Sequence, residues 1–73
     1  MTFDKAKRIL PSFVSHFADS AKDLESLRRM VEVHHFRLGG MIMNMLNPNF
    51  DREEVKALDL KREQLQRFLE TTK

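Results

Sequence analysis

The chain has 73 residues, with 13 basic and 11 acidic side chains, a net charge of +2 and no cysteine. A chain of this length forms one small domain, whose core alone rarely supplies more than ~3–5 kcal/mol of stability. The lack of cysteine excludes disulfides and thiolate metal sites, so oligomerisation is the remaining support. The near balance of interleaved charges argues against a dedicated nucleic-acid binder, which carries a basic patch.

Residues 3–18 predict a short, kinked, amphipathic N-terminal helix. Thr2 can serve as its N-cap. Pro11 must kink this helix or begin a new turn, because proline has no N–H and clashes with the preceding turn. The apolar positions are Phe3, Ala6, Ile9, Leu10, Phe13, Val14 and Phe17. We expect the segment to dock on the rest of the chain, since its few cations make a weak case for a membrane-surface helix.

No stretch approaches the ~18–20 continuous apolar residues of a membrane span. The apolar run from Ile9 to Phe17 is too interrupted for a signal peptide. A lack of cysteine also fits a reducing compartment. We therefore expect a cytoplasmic protein without a membrane span.

Residues 21–46 predict the first arm of a helical hairpin. Ser20, followed by Asp23, fits a capping box ahead of an apolar run, and Pro48 closes the arm because the residue before a proline avoids the helical region. A seam with spacings of three and four follows: Leu24, Leu27, Val31, His34, Leu38, Met41 and Met45. This is a coiled-coil pattern with one polar member, His34, which we expect to set the register or to pair across a dimer axis.

A second set of apolar residues, here called the second stripe, recurs at spacings of three and four residues on roughly the opposite side of this arm. It consists of Val33, Phe36, Gly40 and Met43. A helix that is apolar on two sides needs cover on both, from the N-terminal segment, a second copy or a foreign partner. We expect the helix to continue through Gly39 and Gly40, which would then allow close approach of another backbone. The alternative is a helix that ends at Leu38, with Gly39 as its C-cap.

Residues 52–70 predict the second arm, with the clearest start signal in the chain. Asp51 can serve as N-cap and Glu54 can reach back to complete a capping box, while Phe50 and Val55 are placed for a hydrophobic staple. The apolar positions are Val55, Leu58, Leu65 and Leu69, widened by Leu60 and Phe68.

The two arms should fold back antiparallel through a short turn at 47–49. The predicted fold is therefore all-α: a single domain over 1–73, made of an antiparallel two-helix hairpin with the N-terminal helix packed on it. We expect two such hairpins to dimerise into a helical bundle. Residues 71–73 should fray.

No set of residues has the spacing of a catalytic or metal site. His34 and His35 are adjacent and point about 100° apart on a helix, so they cannot bind one metal from the same helix. Ser15, His16 and Asp19 could be imagined as nucleophile, base and orienter. Neighbours on a helix do not face each other, however, and nothing supplies an oxyanion hole. We expect no enzyme activity, no metal and no cofactor.

His35, followed by a glycine four residues later, slightly resembles the phosphorylatable histidine of histidine phosphotransfer domains. Those domains carry a lysine directly before that glycine, where this chain has Leu38. The resemblance implies histidine phosphotransfer. A histidine phosphotransfer protein or a metal-binding protein is therefore the third candidate function.

A longer pattern runs over both arms. It consists of His35-x-x-Leu38-x-x-x-Ile42 and, after the turn, Glu54-Val55-x-x-Leu58 with Lys61, Arg62 and Leu65. From Val31 to Leu69 this pattern resembles the small YdcH-type bacterial hairpin proteins, which implies two antiparallel helices with a lysine-rich second arm. Gly39 departs from the acidic residue usual in that family, and the N-terminal segment here is longer and more apolar.

The function that we favour is a non-enzymatic helical module for protein–protein interaction. It would act as a regulator, an inhibitor or a chaperone-like adaptor of a larger protein, with Val33, Phe36, Gly40 and Met43 as the binding residues. The alternative is a small dimeric nucleic-acid-associated regulator that aligns basic residues across the dimer.

Overall fold

A computed structural model describes residues 1–45 and 51–73 of the chain. The elements are α1 (Phe3–Ile9), a 3-10 turn (Ser12–Val14), α2 (Phe17–Ser20), α3 (Leu24–Met45) and α4 (Arg52–Thr71). No strand occurs in these two ranges, so the prediction of an all-α fold is confirmed. The turn predicted at 47–49 and the staple residue Phe50 lie outside the described residues.

α3 and α4 form the predicted antiparallel hairpin. Arg28, near the start of α3, contacts Leu69 and Thr72 at the end of α4. Farther along α3, Gly39 lies beside the guanidinium of Arg62. Residue numbers thus rise along one helix as they fall along the other, which is the antiparallel order.

The core lies where the hairpin seam meets the N-terminal segment. Its buried members are Ala6, Val14, Leu27, Val31, Leu38, Leu65 and Phe68. Two predictions of buried positions are wrong: Met41 of the seam is 48% exposed, and Leu60, expected to widen the apolar face of the second arm, is 57% exposed. Leu60 follows the partly buried Leu58 by two residues, and two residues turn the helix by roughly 200°, so one of the pair must face outward.

Of the two alternatives at Pro11, the structure has the new turn, which begins at Ser12, and not one kinked helix. α1 ends at Ile9, and Leu10 is extended (φ −58°, ψ 135°), as the residue before a proline tends to be. The chain then resumes as the 3-10 turn and the single turn of α2. Ala6 and Val14 are buried in the core, so the predicted docking on the hairpin is confirmed.

Two of the three predicted N-caps are confirmed. Thr2 accepts a bond from the backbone N–H of Lys5, and Asp51 accepts bonds from the N–H groups of the first turn of α4. The prediction of Ser20 as the cap of α3 is wrong, because Ser20 is the last residue of α2. Asp23 takes that role: its carboxylate accepts from the N–H of Ser26 at 2.8 Å, and α3 begins at Leu24.

Arg28 and Thr72 join the two arms at the base of the hairpin. Thr72 is 3% exposed, so the prediction that residues 71–73 fray is wrong at this residue. The Arg28 guanidinium donates to the Thr72 hydroxyl at 3.1 Å and to the Leu69 carbonyl at 3.4 Å. That hydroxyl in turn donates to the Phe68 carbonyl at 2.8 Å. A cation is favourable at the C-terminus of a helix, where the last carbonyls lack partners.

α3 continues through both glycines, as expected. A Cβ added at Gly39 would meet the Arg62 side chain at 3.8 Å, which is ordinary contact. A Cβ added at Gly40 would meet nothing within 4 Å. The close backbone approach that we expected at this pair is therefore not made within the described part of the chain.

None of the helices over 1–45 and 51–73 is long and apolar enough to cross a membrane.

Candidate interaction surface

The second stripe lies on the side of α3 that faces away from the hairpin. At about 100° per residue, its four members lie roughly 120–180° around the helix from the buried Val31. Phe36 is 81% exposed, Met43 is 72% exposed and Val33 is 48% exposed. Nothing among the described residues covers this face, although a second apolar side requires cover.

The N-terminal segment is not the missing cover. It packs instead on the seam side, where the rings of Phe13 and Phe17 lie against His34. Its 3-10 turn also reaches α4, because the Lys61 ammonium lies 5.5 Å from the centre of the Phe13 ring. Of the three candidates for cover, a second copy and a foreign partner remain.

An open groove of about 420 Å³ runs beside the second stripe, on the side of α4. Gly39 and Gly40 line it, together with Phe36, Met43 and Arg62. Two adjacent glycines without side chains create this depression in an otherwise convex helix surface. The groove and the stripe together give one apolar surface with a ridge and a hollow.

His34 lies within the chain's own aromatic cluster. Its ring is 6.1 Å from that of Phe13 and 5.8 Å from that of Phe17, the latter edge-on. Burial of the imidazole is the main cause of a lowered pKa for His34, and the nearby charges of Arg37, His16 and Lys61 lower this pKa further. His34 is thus a half-buried partner of the N-terminal segment, and its role in dimer register stays a prediction.

The lowered pKa of His34 predicts an acid-sensitive fold. In the unfolded chain His34 titrates near 6.5. As pH falls below 6.5, His34 binds a proton in the unfolded state but not yet in the folded state, where its pKa is lower. The free energy of unfolding must therefore fall. Urea denaturation across this range should show a shallower pH dependence for His34→Phe, and also for the neutral polar variant His34→Gln. Equal slopes in the wild type and both variants would contradict this account.

A second depression, the basic-rimmed cleft, lies between α2 and the adjacent face of α3. It is open, with a volume of about 650 Å³. Phe17, Met30 and Val33 contribute apolar lining, and Arg29 and Arg37 stand at its polar side. This cleft was not predicted from the sequence. The signal was present, since Arg29, Val33 and Arg37 recur at spacings of four, but the contribution of Phe17 depends on the docking of the N-terminal segment.

Four of the 13 basic side chains, Arg29 of the cleft among them, form ion pairs within their own helix in the described part of the chain. The ion pairs are Lys7–Asp4, Arg29–Glu25, Arg62–Asp59 and Arg67–Glu63, all spaced by three or four residues. Exposed pairs of this kind contribute about 0.3–0.5 kcal/mol each. They give a solvated, charge-balanced surface rather than a continuous basic stripe.

The residues considered for catalysis or metal binding do not converge. Over residues 1–45 and 51–73, no three histidine or acidic side chains are arranged to hold a metal ion. His16 packs edge-on against Phe17, with ring centres 4.7 Å apart. His35 lies instead beside Asp59, Arg62 and Glu63 of α4. His16 and His34 therefore share the Phe17 ring and line the same cleft, whereas His35 lies in a separate depression beside α4.

Comparison of the chain with known proteins found no matching family model, no matching curated protein and no matching solved structure.

Proposed function

We propose that this protein is a small, non-enzymatic module for protein–protein interaction, which binds helical partners through the second stripe and forms homodimers. The observation that carries the proposal is the exposure of Phe36, at 81%, next to Met43, at 72%. Single exposed apolar side chains need no explanation, but several on one face of a helix mark an interaction site. A regulator or a chaperone-like adaptor of a larger protein uses a surface of this kind.

The shape of the surface favours a helix as the bound element. The stripe follows spacings of three and four, and an amphipathic helix presents matching anchors to such a face. The groove at Gly39 and Gly40 adds a hollow for one large side chain. Methionine suits this role because its flexible, polarisable side chain adapts to different partners.

Two apolar positions of the pattern that resembles the YdcH-type proteins pack into the core of this chain. Leu38 is buried, and Leu58 is partly buried against the same core. A relationship with that family would therefore be one of architecture, with the second stripe as the feature that sets the partner.

Replacing Phe36 or Met43 by aspartate should abolish partner binding and leave the helical content unchanged. A charge in the middle of an apolar contact must be desolvated on binding, whereas an exposed position on the free protein tolerates it. The measurement is capture of interacting proteins by tagged variants, with helicity checked by circular dichroism. Leu60→Asp is the matched control, because Leu60 is 57% exposed on α4, outside the stripe. If Phe36→Asp and Met43→Asp capture the same proteins as the wild type, the proposal is wrong.

One observation favours the alternative of a nucleic-acid-associated regulator. Arg29 and Arg37 lie on the same side of the basic-rimmed cleft, and Phe17 there could stack on a base. Such binding must weaken steeply with salt, since it releases counterions from phosphates. Absence of binding to single- or double-stranded DNA and RNA at low salt would remove this alternative.

A further inference from the structure

No contact among residues 1–45 and 51–73 explains why position 40 is a glycine. It lies inside α3, where glycine is the least favourable residue after proline. Its φ is negative, so no left-handed backbone requires it. No side chain or neighbouring element among the described residues comes within 4 Å of the place where its side chain would stand. A glycine held in the interior of a helix, with open space above it, fits a surface that another group must approach closely.

The second stripe is symmetric in its spacing. Its members are separated by three, four and three residues, so its centre falls at residue 38. When two copies of such a helix pack antiparallel about that centre, residue 36 of one meets residue 40 of the other. Residue 33 then meets residue 43. This is the pairing of a with d positions in an antiparallel coiled coil.

That register places side chains of different size opposite each other. The largest side chain of the stripe, Phe36, would lie over the residue with none, Gly40, and Val33 would lie against the flexible Met43. A two-fold axis makes the contact twice, because each protomer supplies both the ridge and the hollow. The groove of about 420 Å³ beside the glycines is ample, since a cavity of ~150 Å³ already holds a benzene ring.

We propose that a second copy of this chain occupies the second stripe of the free protein, with the two α3 helices antiparallel and Phe36 of each protomer seated over Gly40 of its partner. This inference rests on the proposed function, because it takes the second stripe to be the protein-binding face. Self-association then masks the face until a foreign helix displaces the second copy.

The small size of the proposed dimer interface is consistent with displacement of the second copy by a foreign helix. Three side chains and one glycine from each protomer make an interface smaller than the ~1,600 Å² of a standard stable complex. A small interface dissociates readily, so the dimer separates on dilution and yields to a partner that buries more surface. A permanent dimer would keep the stripe closed to any partner.

Cysteine cross-linking tests the register directly, since the chain has no cysteine of its own. Val33→Cys chains are mixed with isotope-labelled Met43→Cys chains, oxidised gently, and the disulfide products are weighed by mass spectrometry. In the proposed register these two positions face each other, whereas two copies of position 33 lie roughly 15 Å apart along the helix. A disulfide needs Cα atoms within about 7 Å, so we expect the mixed dimer in about tenfold excess over either like pair.

The control pair is Val33→Cys with Leu60→Cys, because Leu60 is also exposed and lies on α4 outside the stripe. It should give at most the random proportion of mixed dimer. Predominance of the Val33→Cys like pair would show a parallel arrangement and overturn the proposal. A mixed dimer no more abundant than in the control would overturn it as well.

The two proposals can fail separately. If Phe36→Asp abolishes association but the cross-links do not favour the mixed dimer, the face binds protein and only the antiparallel register is wrong. If Phe36→Asp leaves every association intact, the proposed function itself fails.

Discussion

Replacing Leu65 by alanine should remove most of the free energy of unfolding of the chain at 25 °C. Leu65 is fully buried in the core, together with Leu27 and Val31 of α3. Removing a buried leucine side chain costs about 2–5 kcal/mol, through lost transfer free energy and the cavity that remains. A single core in a chain this short supplies about 3–5 kcal/mol, so the substitution consumes most of the available stability.

The measurement is urea denaturation followed by circular dichroism, with Leu60→Ala as the matched control. Leu60 is on the same helix and undergoes the same substitution, but it is 57% exposed. Its replacement should change the free energy of unfolding by no more than about 0.5 kcal/mol, as is usual at the surface. A Leu65→Ala variant as stable as Leu60→Ala would contradict the placement of the core.

Replacing Gly40 by leucine should make the single chain more stable and abolish its self-association. The gain arises because glycine costs about 1 kcal/mol relative to alanine inside a helix, and leucine is nearly as favourable as alanine. Beyond its chain neighbours and its own helix backbone, no atom of residues 1–45 and 51–73 stands within 4 Å of the new Cβ to oppose it. Association is lost because the new side chain fills the hollow that we assign to Phe36 of the partner protomer.

Gly40→Ala gives the graded comparison, since it brings a similar gain in helix stability but adds only one methyl group. Its self-association should be weakened less than that of Gly40→Leu. Denaturation gives the stability and sedimentation equilibrium gives the dimer constant. A higher free energy of unfolding together with a weaker dimer indicates a blocked interface, whereas a damaged fold would lower both. Gains in stability with undiminished association in both variants would place Gly40 outside any dimer contact.

The hairpin could be predicted because its signal is local and periodic. Leu27, Val31 and Leu38 recur at helical spacing, and their partner Leu65 follows a strong N-cap at Asp51. Periodicity also predicted the second stripe, since two apolar faces on one helix are visible in sequence.

The errors came from signals that compete locally. Ser20 and Asp23 both suit an N-cap, and spacing alone does not choose between them. The choice depended on Ala21, whose extended backbone (φ −77°, ψ 143°) ends α2 and delays the start of α3. Leu60 illustrates the same limit, because a leucine two residues from Leu58 could be counted on either side of the helix.

The environment of His34 could not be predicted, because distant residues create it. Phe13 and Phe17 reach His34 only after the N-terminal segment has folded back across the hairpin. Arg28 and Thr72 are a similar case, since 44 residues separate the two partners of one hydrogen bond. Contacts at such separations depend on how the elements dock, and no local pattern in the sequence encodes them.

The central claim is that the second stripe of α3 is an association surface. Its most direct test is the molar mass of the wild-type chain and of Phe36→Asp. Both are measured side by side by light scattering over a dilution series. The wild type should rise from 8.7 kDa towards twice that mass as its concentration increases, and Phe36→Asp should stay at 8.7 kDa throughout. Identical masses for the two proteins at every concentration would contradict self-association through this face.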